Sequence, residues 1–182
     1  ERVRLEKCRK YLDRGESSVR TVLAAMPQPL QMFVDTEIWM NEGEIGRWKE
    51  QRVREKNPWA ANEAFTSANG ERMRSKSEVL IADALRREGI PYFYEKPLDD
   101  LTGPYSILPD FTCLNTRTGK VYYWEHCGLM ENPDYCNAAL NRIQNYAALG
   151  IVAGGELILT FESSRSPLRT HYIQDLIERF LK

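Results

Sequence analysis

Two short apolar segments joined by a turn constrain the fold of this chain more than any other feature. Residues 107–115 and 120–127 are rich in apolar, aromatic and β-branched side chains, and residues 115–119, Asn-Thr-Arg-Thr-Gly, have the composition of a turn. This pattern predicts a β-hairpin. Asp110 lies in the first segment and Glu125 in the second. Because burying carboxylates in an apolar hairpin costs free energy unless a cation compensates them, a cationic group is expected beside this pair.

The alternation of side chains along each strand bears on whether the two carboxylates meet. Glu125 shares one face of its strand with Tyr123 and Cys127, and His126 lies on the other face. In the register that pairs Asp110 with Glu125, both carboxylates converge at one end of the hairpin. Carboxylate and carbonyl oxygens suit Mg²⁺ or Mn²⁺, and the backbone carbonyl of His126 is placed to be a third protein ligand. In the alternative interpretation, Asp110 belongs to a turn and Glu125 lies at a solvated strand end.

A third carboxylate, Glu78, heads an apolar stripe in a predicted helix. The helix is expected from Ser75 to Glu88. Apolar residues follow Glu78 at the i+3, i+4 and i+7 positions, so Glu78 is expected on the face that packs against the sheet. Ser75 and Glu78 also fit a capping box, in which the Glu78 side chain returns to the amide of the cap residue, and this alternative stays open.

Strand and helix patterns alternate through the second half of the chain. Residues 92–96 and 155–161 have the composition of strands. Asn132-Pro133 predicts the start of a helix that runs to residue 149, and Ser166-Pro167 predicts the start of the last helix in the same way. With the hairpin, this order predicts an α/β fold on the border of α+β, with a central mixed sheet of about four strands flanked by helices.

The first part of the chain has a different pattern. Residues 1–25 read as a helix, residues 30–52 as helical pieces interrupted by glycines, and residues 57–70 as a turn-rich link. Residues 1–66 are therefore expected to form an N-terminal helical extension, and residues 67–182 the main domain.

Composition and charge restrict the class of protein. Apolar residues make up 42% and charged residues 28%, as in an ordinary globular domain. There is no apolar run of membrane-spanning length, no signal-peptide pattern at residue 1 and no Cys-x-x-Cys pair among the four cysteines. A cytoplasmic protein with reduced thiols and no membrane partner is expected. The net charge of −1 argues against binding nucleic acid mainly by bulk charge, although residues 47–56 and 72–76 are locally basic. Either cluster is also explained as a solvated face.

The order of three short motifs resembles the PD-(D/E)XK nuclease superfamily. The motifs are Ser75-Lys-Ser-Glu78, Pro109-Asp110 and Trp124-Glu-His-Cys127, and the resemblance covers residues 75–162. The chain is also similar to bacterial or phage members with a Trp-Glu-His-x-Gly segment, here with a Glu-His-Cys variant of the third motif. The resemblance implies a restriction-endonuclease-like core.

The same resemblance implies a metal-dependent phosphodiesterase, a Mg²⁺- or Mn²⁺-dependent endonuclease acting on DNA. Asp110 and Glu125 would hold the metal ion with the carbonyl of His126, and Glu78 would complete the acidic pocket. In this function the two basic clusters would contact phosphates, and Trp39, Trp48 and Trp59 would either stack on bases or pack.

The chain departs from the superfamily two residues after Glu125, where Cys127 stands in place of the usual lysine. In parts of the superfamily the catalytic cation lies on the following helix. Arg142 is therefore expected to supply a fixed positive charge. Gln144 and Tyr146 are similar to the Gln and Tyr that some members use on this helix. Arg142 and Gln144 are also explained as surface residues, and Tyr146 as a core residue.

Two other functions remain compatible with the sequence. The first is a non-catalytic module of the same fold that binds nucleic acid or assembles with a partner, which the missing lysine favours and the three retained carboxylates disfavour. The second is a metal hydrolase for a small phosphoester. The imidazole of His126 is expected to be a hydrogen-bonded core group. A Cys127–His126 nucleophile pair is disfavoured, because adjacent strand residues point to opposite faces.

Overall fold

The computed structural model describes residues 40–50, 65–98 and 107–182. Met40–Lys182 forms one compact unit. None of the helices in the described ranges is long and apolar enough to cross a membrane.

Part of the predicted N-terminal half lies outside the described residues. This part contains the helix expected over residues 1–25, residues 51–56 of the first basic cluster, and the side chains of Trp39 and Trp59. Trp48 is described: it is buried, and its ring centroid lies 4.5 Å from that of Phe93. Trp48 therefore packs in the protein core, which is one of the two roles predicted for it.

The described residues contain four helices and six strands. In chain order these are α1 (Glu42–Lys49), β1 (Phe65–Thr66), β2 (Arg72–Met73), α2 (Lys76–Arg87), β3 (Tyr92–Tyr94), β4 (Phe111–Leu114), β5 (Val121–Cys127), α3 (Pro133–Ala148), β6 (Leu157–Phe161) and α4 (Thr170–Phe180).

The central sheet has four strands in the order β3-β4-β5-β6. The pairs β3–β4 and β4–β5 are antiparallel, whereas β5–β6 is parallel. The predicted α/β class with a mixed four-stranded sheet is confirmed. Strands β1 and β2 form a separate two-stranded sheet, and β1 lies in a segment predicted to be an irregular link. Strands of two residues are too short to show a period in the sequence.

Helices α2 and α3 begin as predicted because polar side chains cap them. The Ser75 hydroxyl accepts the N–H of Glu78, and the Asn132 side chain accepts the N–H groups of Asp134 and Tyr135. Gly89, with a φ of 71°, follows α2 at a position where a left-handed residue ends a helix.

The prediction for the last helix is wrong at its start. Helix α4 begins at Thr170 and not at Ser166-Pro167. Ser163 and Ser166 exchange two backbone hydrogen bonds of 3.1 Å, and the Leu168 N–H donates to the Glu162 carboxylate at 3.1 Å. These bonds give backbone groups of the segment their partners in a turn, so the helix starts only at Thr170.

Other predicted boundaries were too wide. The first hairpin strand starts at Phe111 and not at residue 107, because Pro109 has no N–H to donate to a ladder. Strand β3 ends at Tyr94, because Glu95 has a φ of 49°.

Helix α1 also runs through both glycines that were expected to interrupt it. Its start is stabilised by a capping box between Asn41 and Glu44.

Apolar clusters cover both faces of the central sheet. The larger one packs α2 and α4 on the face that carries Phe111 and Trp124. The smaller one includes Tyr146 of α3 and Leu157 of β6, with Tyr123 packed against it. Glu125 shares the strand face of Tyr123, so its side chain points toward α3.

Candidate metal centre

Asp110 and Glu125 lie side by side at one end of the hairpin. The register pairs Phe111 with Trp124 and Thr112 with Tyr123, so the next position places Asp110 opposite Glu125. Both side chains are almost inaccessible, since Asp110 is 4% and Glu125 is 2% exposed. Burial, followed by the charges of Glu125 and Glu78, raises the pKa of Asp110 well above its usual value. Asp110 is therefore a buried carboxylate whose negative charge is not fully compensated.

Helix α3 supplies two partners for Glu125. The Tyr146 hydroxyl donates to Glu125 Oε1 at 2.6 Å, and Arg142 Nε lies 3.7 Å from Oε2. Burial raises the pKa of Glu125, and the hydrogen bond from Tyr146 and the charge of Arg142 oppose that shift. Arg142 and Tyr146 are four residues apart on one helix, so a single helix face provides both contacts.

Glu78 belongs to the same pocket. Its carboxylate accepts the Tyr94 hydroxyl at 2.6 Å and the backbone N–H of Arg74 at 3.0 Å. It thus bonds the amide before the cap residue and does not complete a capping box with Ser75. One guanidinium links it to Asp110, because Arg74 Nε lies 4.0 Å from Glu78 Oε1 and Arg74 Nη2 lies 2.6 Å from Asp110 Oδ1. The charge of Glu78 contributes to the raised pKa of Asp110.

The pocket contains two charged residues that the sequence does not predict there, and Arg74 is expected only as part of the basic cluster over residues 72–76. Arg74 Nη2 lies 2.6 Å from Asp110 Oδ1, and Arg74 Nε lies 2.9 Å from Glu95 Oε1 and 4.0 Å from Glu78 Oε1. Partial burial lowers the pKa of Arg74, but the three carboxylates outweigh that effect and raise it. Glu95 adopts a left-handed backbone conformation, which is uncommon for a residue with a side chain.

The backbone and the ring of His126 have different roles. The backbone N–H donates to Asp110 Oδ2 at 2.7 Å. The ring Nδ1 lies 3.0 Å from Thr160 Oγ1, and Nε2 lies 3.2 Å from Glu162 Oε1. The imidazole is thus held on the strand face opposite to Glu125, and it is not available to a metal ion between the two carboxylates.

The carbonyl of His126 points to the same side as its N–H. The carbonyl of Cys127 accepts the N–H of Glu162, so it points toward β6. Carbonyls alternate in direction along a strand, and that of His126 must therefore point toward β4, where the Asp110 carboxylate lies. The carbonyl of His126 is thus on the β4 side of β5, next to the Asp110 carboxylate, and the register places Glu125 opposite Asp110.

The charges of the pocket suit a divalent cation. Glu78, Glu95, Asp110 and Glu125 face two guanidinium groups, of Arg74 and Arg142, which leaves a formal charge of −2 when all six are ionised. No three His, Cys, Asp or Glu side chains within the described ranges are grouped so that they could hold a metal ion. The fit to Mg²⁺ or Mn²⁺ rests instead on two adjacent carboxylates and a backbone carbonyl, all hard oxygen ligands.

The remaining predicted residues of the site, Cys127, Gln144 and Tyr146, have different environments. Cys127 is buried, and burial raises the pKa of its thiol to about 11, so it supplies no charge at neutral pH. Gln144 is exposed on α3, and none of the described hydrogen bonds joins it to Asp110 or Glu125. Tyr146 is a core residue, as expected, and its hydroxyl also contacts Glu125.

The described structure is an α/β fold with a buried acidic pocket at one end of a mixed sheet. No protein-family model matches the chain, and no solved structure matches it. The chain is similar to the uncharacterized protein MJ1519 of Methanocaldococcus jannaschii, with 31% identity over 113 residues. The match covers 59% of this chain and 9% of that protein, so it corresponds to a small part of a much longer relative.

Replacing Tyr146 with phenylalanine should lower the free energy of unfolding by about 2 kcal/mol. The change removes the hydroxyl that donates to Glu125 Oε1 and leaves a buried carboxylate without that donor. Urea unfolding of metal-free protein at neutral pH measures the effect. Tyr172→Phe, on the exposed face of α4, is the control and should have wild-type stability. Equal stability of the two variants would show that the Tyr146 hydroxyl contributes nothing to the folded state.

Proposed function

We propose that this chain is a metal-dependent, endonuclease-like domain with a restriction-endonuclease-like core, which hydrolyses phosphodiester bonds in DNA. The observation that carries the proposal is the pairing of Asp110 with Glu125 across two antiparallel strands, in a buried pocket whose formal charge is −2 when its six charged side chains are all ionised. Such a pocket is costly unless a cation enters it. The same two carboxylates are the metal ligands that the resemblance to PD-(D/E)XK nucleases implies.

The residues of the pocket have distinct roles in this function. Asp110, Glu125 and the carbonyl of His126 would hold Mg²⁺ or Mn²⁺. When bound, the metal ion would polarise the phosphodiester and lower the pKa of an attacking water. The Tyr146 hydroxyl orients Glu125 through its 2.6 Å hydrogen bond, and the His126 N–H orients Asp110 through a bond of 2.7 Å.

Arg142 is the best candidate for the cation that Cys127 does not supply. Its guanidinium is close to Glu125, and its side chain is 41% exposed, so it can reach both the pocket and a bound phosphate. A guanidinium cannot act as a base at neutral pH, so its role is to stabilise negative charge on the phosphate. Arg72 and Lys76, which are exposed on the connection around β2, would contact neighbouring phosphates of the nucleic acid.

A non-catalytic module that binds nucleic acid or assembles with a partner is the second candidate. Two observations favour it. Cys127 is neutral at the position of the usual lysine. Arg74 already gives Asp110 a cationic partner at 2.6 Å, so the pocket carries part of its compensation within the chain.

The test is cleavage of supercoiled plasmid and of single-stranded DNA, with RNA of matched sequence as a third substrate, in the presence of Mg²⁺ or Mn²⁺. Wild-type protein should cleave DNA with either ion and should lose this activity in excess chelator. Glu125→Gln keeps the shape of the side chain and removes its charge, so its cleavage rate should fall by about a thousandfold.

Glu156→Gln is the matched control for this experiment, because Glu156 is exposed on the approach to β6. It should cleave as the wild type does. Cleavage that survives in Glu125→Gln would rule out the proposed site. If wild-type protein cleaves none of the substrates but retards DNA in a gel, the non-catalytic module becomes the better assignment.

A further inference from the structure

Arg74 occupies the position at which a metal ion would meet Asp110. Its Nη2 contacts Asp110 Oδ1 at 2.6 Å, while the other oxygen of Asp110, Oδ2, accepts the His126 N–H at 2.7 Å. The backbone amide takes one lone pair of Oδ2, and Oδ1 is the oxygen that would open to another cation if the guanidinium left it. A guanidinium and a divalent ion repel each other strongly at such short distances, so both cannot contact Oδ1 at once.

The backbone of Arg74 is fixed although its side chain is not enclosed. The backbone N–H of Arg74 lies within hydrogen-bonding distance of the Glu78 carboxylate, at 3.0 Å, and of the Tyr94 hydroxyl, at 3.3 Å. The preceding residue, Met73, is part of the core. The Arg74 side chain is nevertheless 48% exposed. Rotation of this side chain toward solvent would separate the guanidinium from Asp110, and from Glu95 Oε1, which its Nε contacts at 2.9 Å, without a change in the fold.

We propose that Arg74 is a displaceable counter-ion, which competes with the metal ion for Asp110 Oδ1 and is released when the metal ion binds. This inference rests on the proposed metal-dependent function. Arg74 lies between Arg72 and Lys76 in the sequence, and both of these residues are exposed, so a released guanidinium would add a third positive charge to a basic edge beside the pocket. Arg74 would thus stabilise the metal-free protein and would bind substrate phosphate in the metal-loaded protein.

The test measures Mn²⁺ binding to the full chain by calorimetry in the absence of nucleic acid. If Arg74 occupies Oδ1 in nine of ten molecules, the apparent affinity of the wild type is reduced about tenfold. Arg74→Ala should therefore bind Mn²⁺ about tenfold more tightly than wild type. Its melting temperature without metal should be lower than that of wild type, because Glu78, Glu95 and Asp110 all lose their shared cation, and it should recover when Mn²⁺ is added.

Arg165→Ala is the control, because Arg165 is an exposed arginine in the turn before α4, and it should bind Mn²⁺ as wild type does. Arg74→Gln provides a second variant in case the alanine variant does not fold. It keeps a hydrogen-bond donor but removes the charge, and it should also bind Mn²⁺ more tightly than wild type.

The outcomes separate the two proposals. If wild type binds Mn²⁺ and both Arg74 variants bind it with equal or lower affinity, the competition is refuted and the metal site remains. If neither wild type nor the variants bind Mn²⁺, the metal-dependent function is refuted together with the role of Arg74.

Discussion

Asp110→Asn should reduce the rate of DNA cleavage by about a thousandfold, while the metal-free protein stays at least as stable as wild type. In the proposed function, the catalytic loss follows from replacing an anionic ligand of the metal ion with a neutral amide. The stability follows from the environment of Asp110. Burial and the charges of Glu125 and Glu78 disfavour its ionised form, which is why its pKa is raised. A neutral asparagine removes both the cost of burying a charge and the repulsion from Glu125 and Glu78. Its side-chain oxygen can still accept the His126 N–H.

The variant does lose the ion pair with Arg74, but this loss should be small. The Arg74 side chain is half-exposed, and ion pairs with an exposed partner contribute little to stability. Urea unfolding in chelator and in excess Mn²⁺ measures the predicted effect. Mn²⁺ should stabilise the wild type and should not stabilise Asp110→Asn.

Asp175→Asn on the exposed surface of α4 is the matched control and should resemble wild type in both conditions. The prediction would be contradicted if Asp110→Asn were destabilised by more than about 2 kcal/mol in chelator, since that would make Asp110 a stabilising structural residue.

Trp124→Ala should lower the free energy of unfolding by about 4 kcal/mol. Trp124 is fully buried in the larger cluster, and the truncation leaves a cavity between the sheet and its helices. The indole Nε1 also donates to Thr160 Oγ1 at 3.0 Å. Thr160 is itself buried and lies 3.0 Å from the imidazole of His126, so the substitution weakens the support of β5 next to Glu125.

Trp124→Phe separates the two contributions, because it keeps an aromatic ring and removes the donor. It should lose about half as much stability as the alanine variant, since the remaining cavity is smaller. Tyr172→Ala, at a residue that is 43% exposed, should change stability little. Chemical unfolding followed by far-UV circular dichroism measures the free energy of unfolding of all three variants. A loss below about 1 kcal/mol for Trp124→Ala would mean that this face of the sheet is not tightly packed.

The elements that were predicted well are those whose signal is local. The apolar stripe after Glu78 predicts α2, and Asn132-Pro133 predicts α3, because caps and helical periodicity act within a few residues. The start of α4 was predicted wrongly from a similar Ser-Pro pair. There the Glu162 carboxylate and the paired serines satisfy the backbone in a turn, and the sequence contains no local sign of that competition.

The residues of the candidate site also divide into those that local sequence predicts and those that it does not. Asp110 and Glu125 could be paired from the alternation along two strands joined by a short turn. Arg74 and Glu95 could not, because they meet Asp110 through contacts between separate elements. Arg142 was expected from the resemblance to known nucleases, and its position next to Glu125 depends on how α3 packs on the sheet.

The sequence alone predicted the hairpin and, for one register of its strands, the placement of the two carboxylates on one face, because strand alternation and turn chemistry are properties of neighbouring residues. Only the tertiary structure decided which charges surround those carboxylates. Arg74 and Glu95 lie on chain segments that approach Asp110 from other parts of the fold, so the net charge of the pocket is a property of packing. That packing places the Arg74 guanidinium beside Asp110, where, in the inference above, it competes with a metal ion.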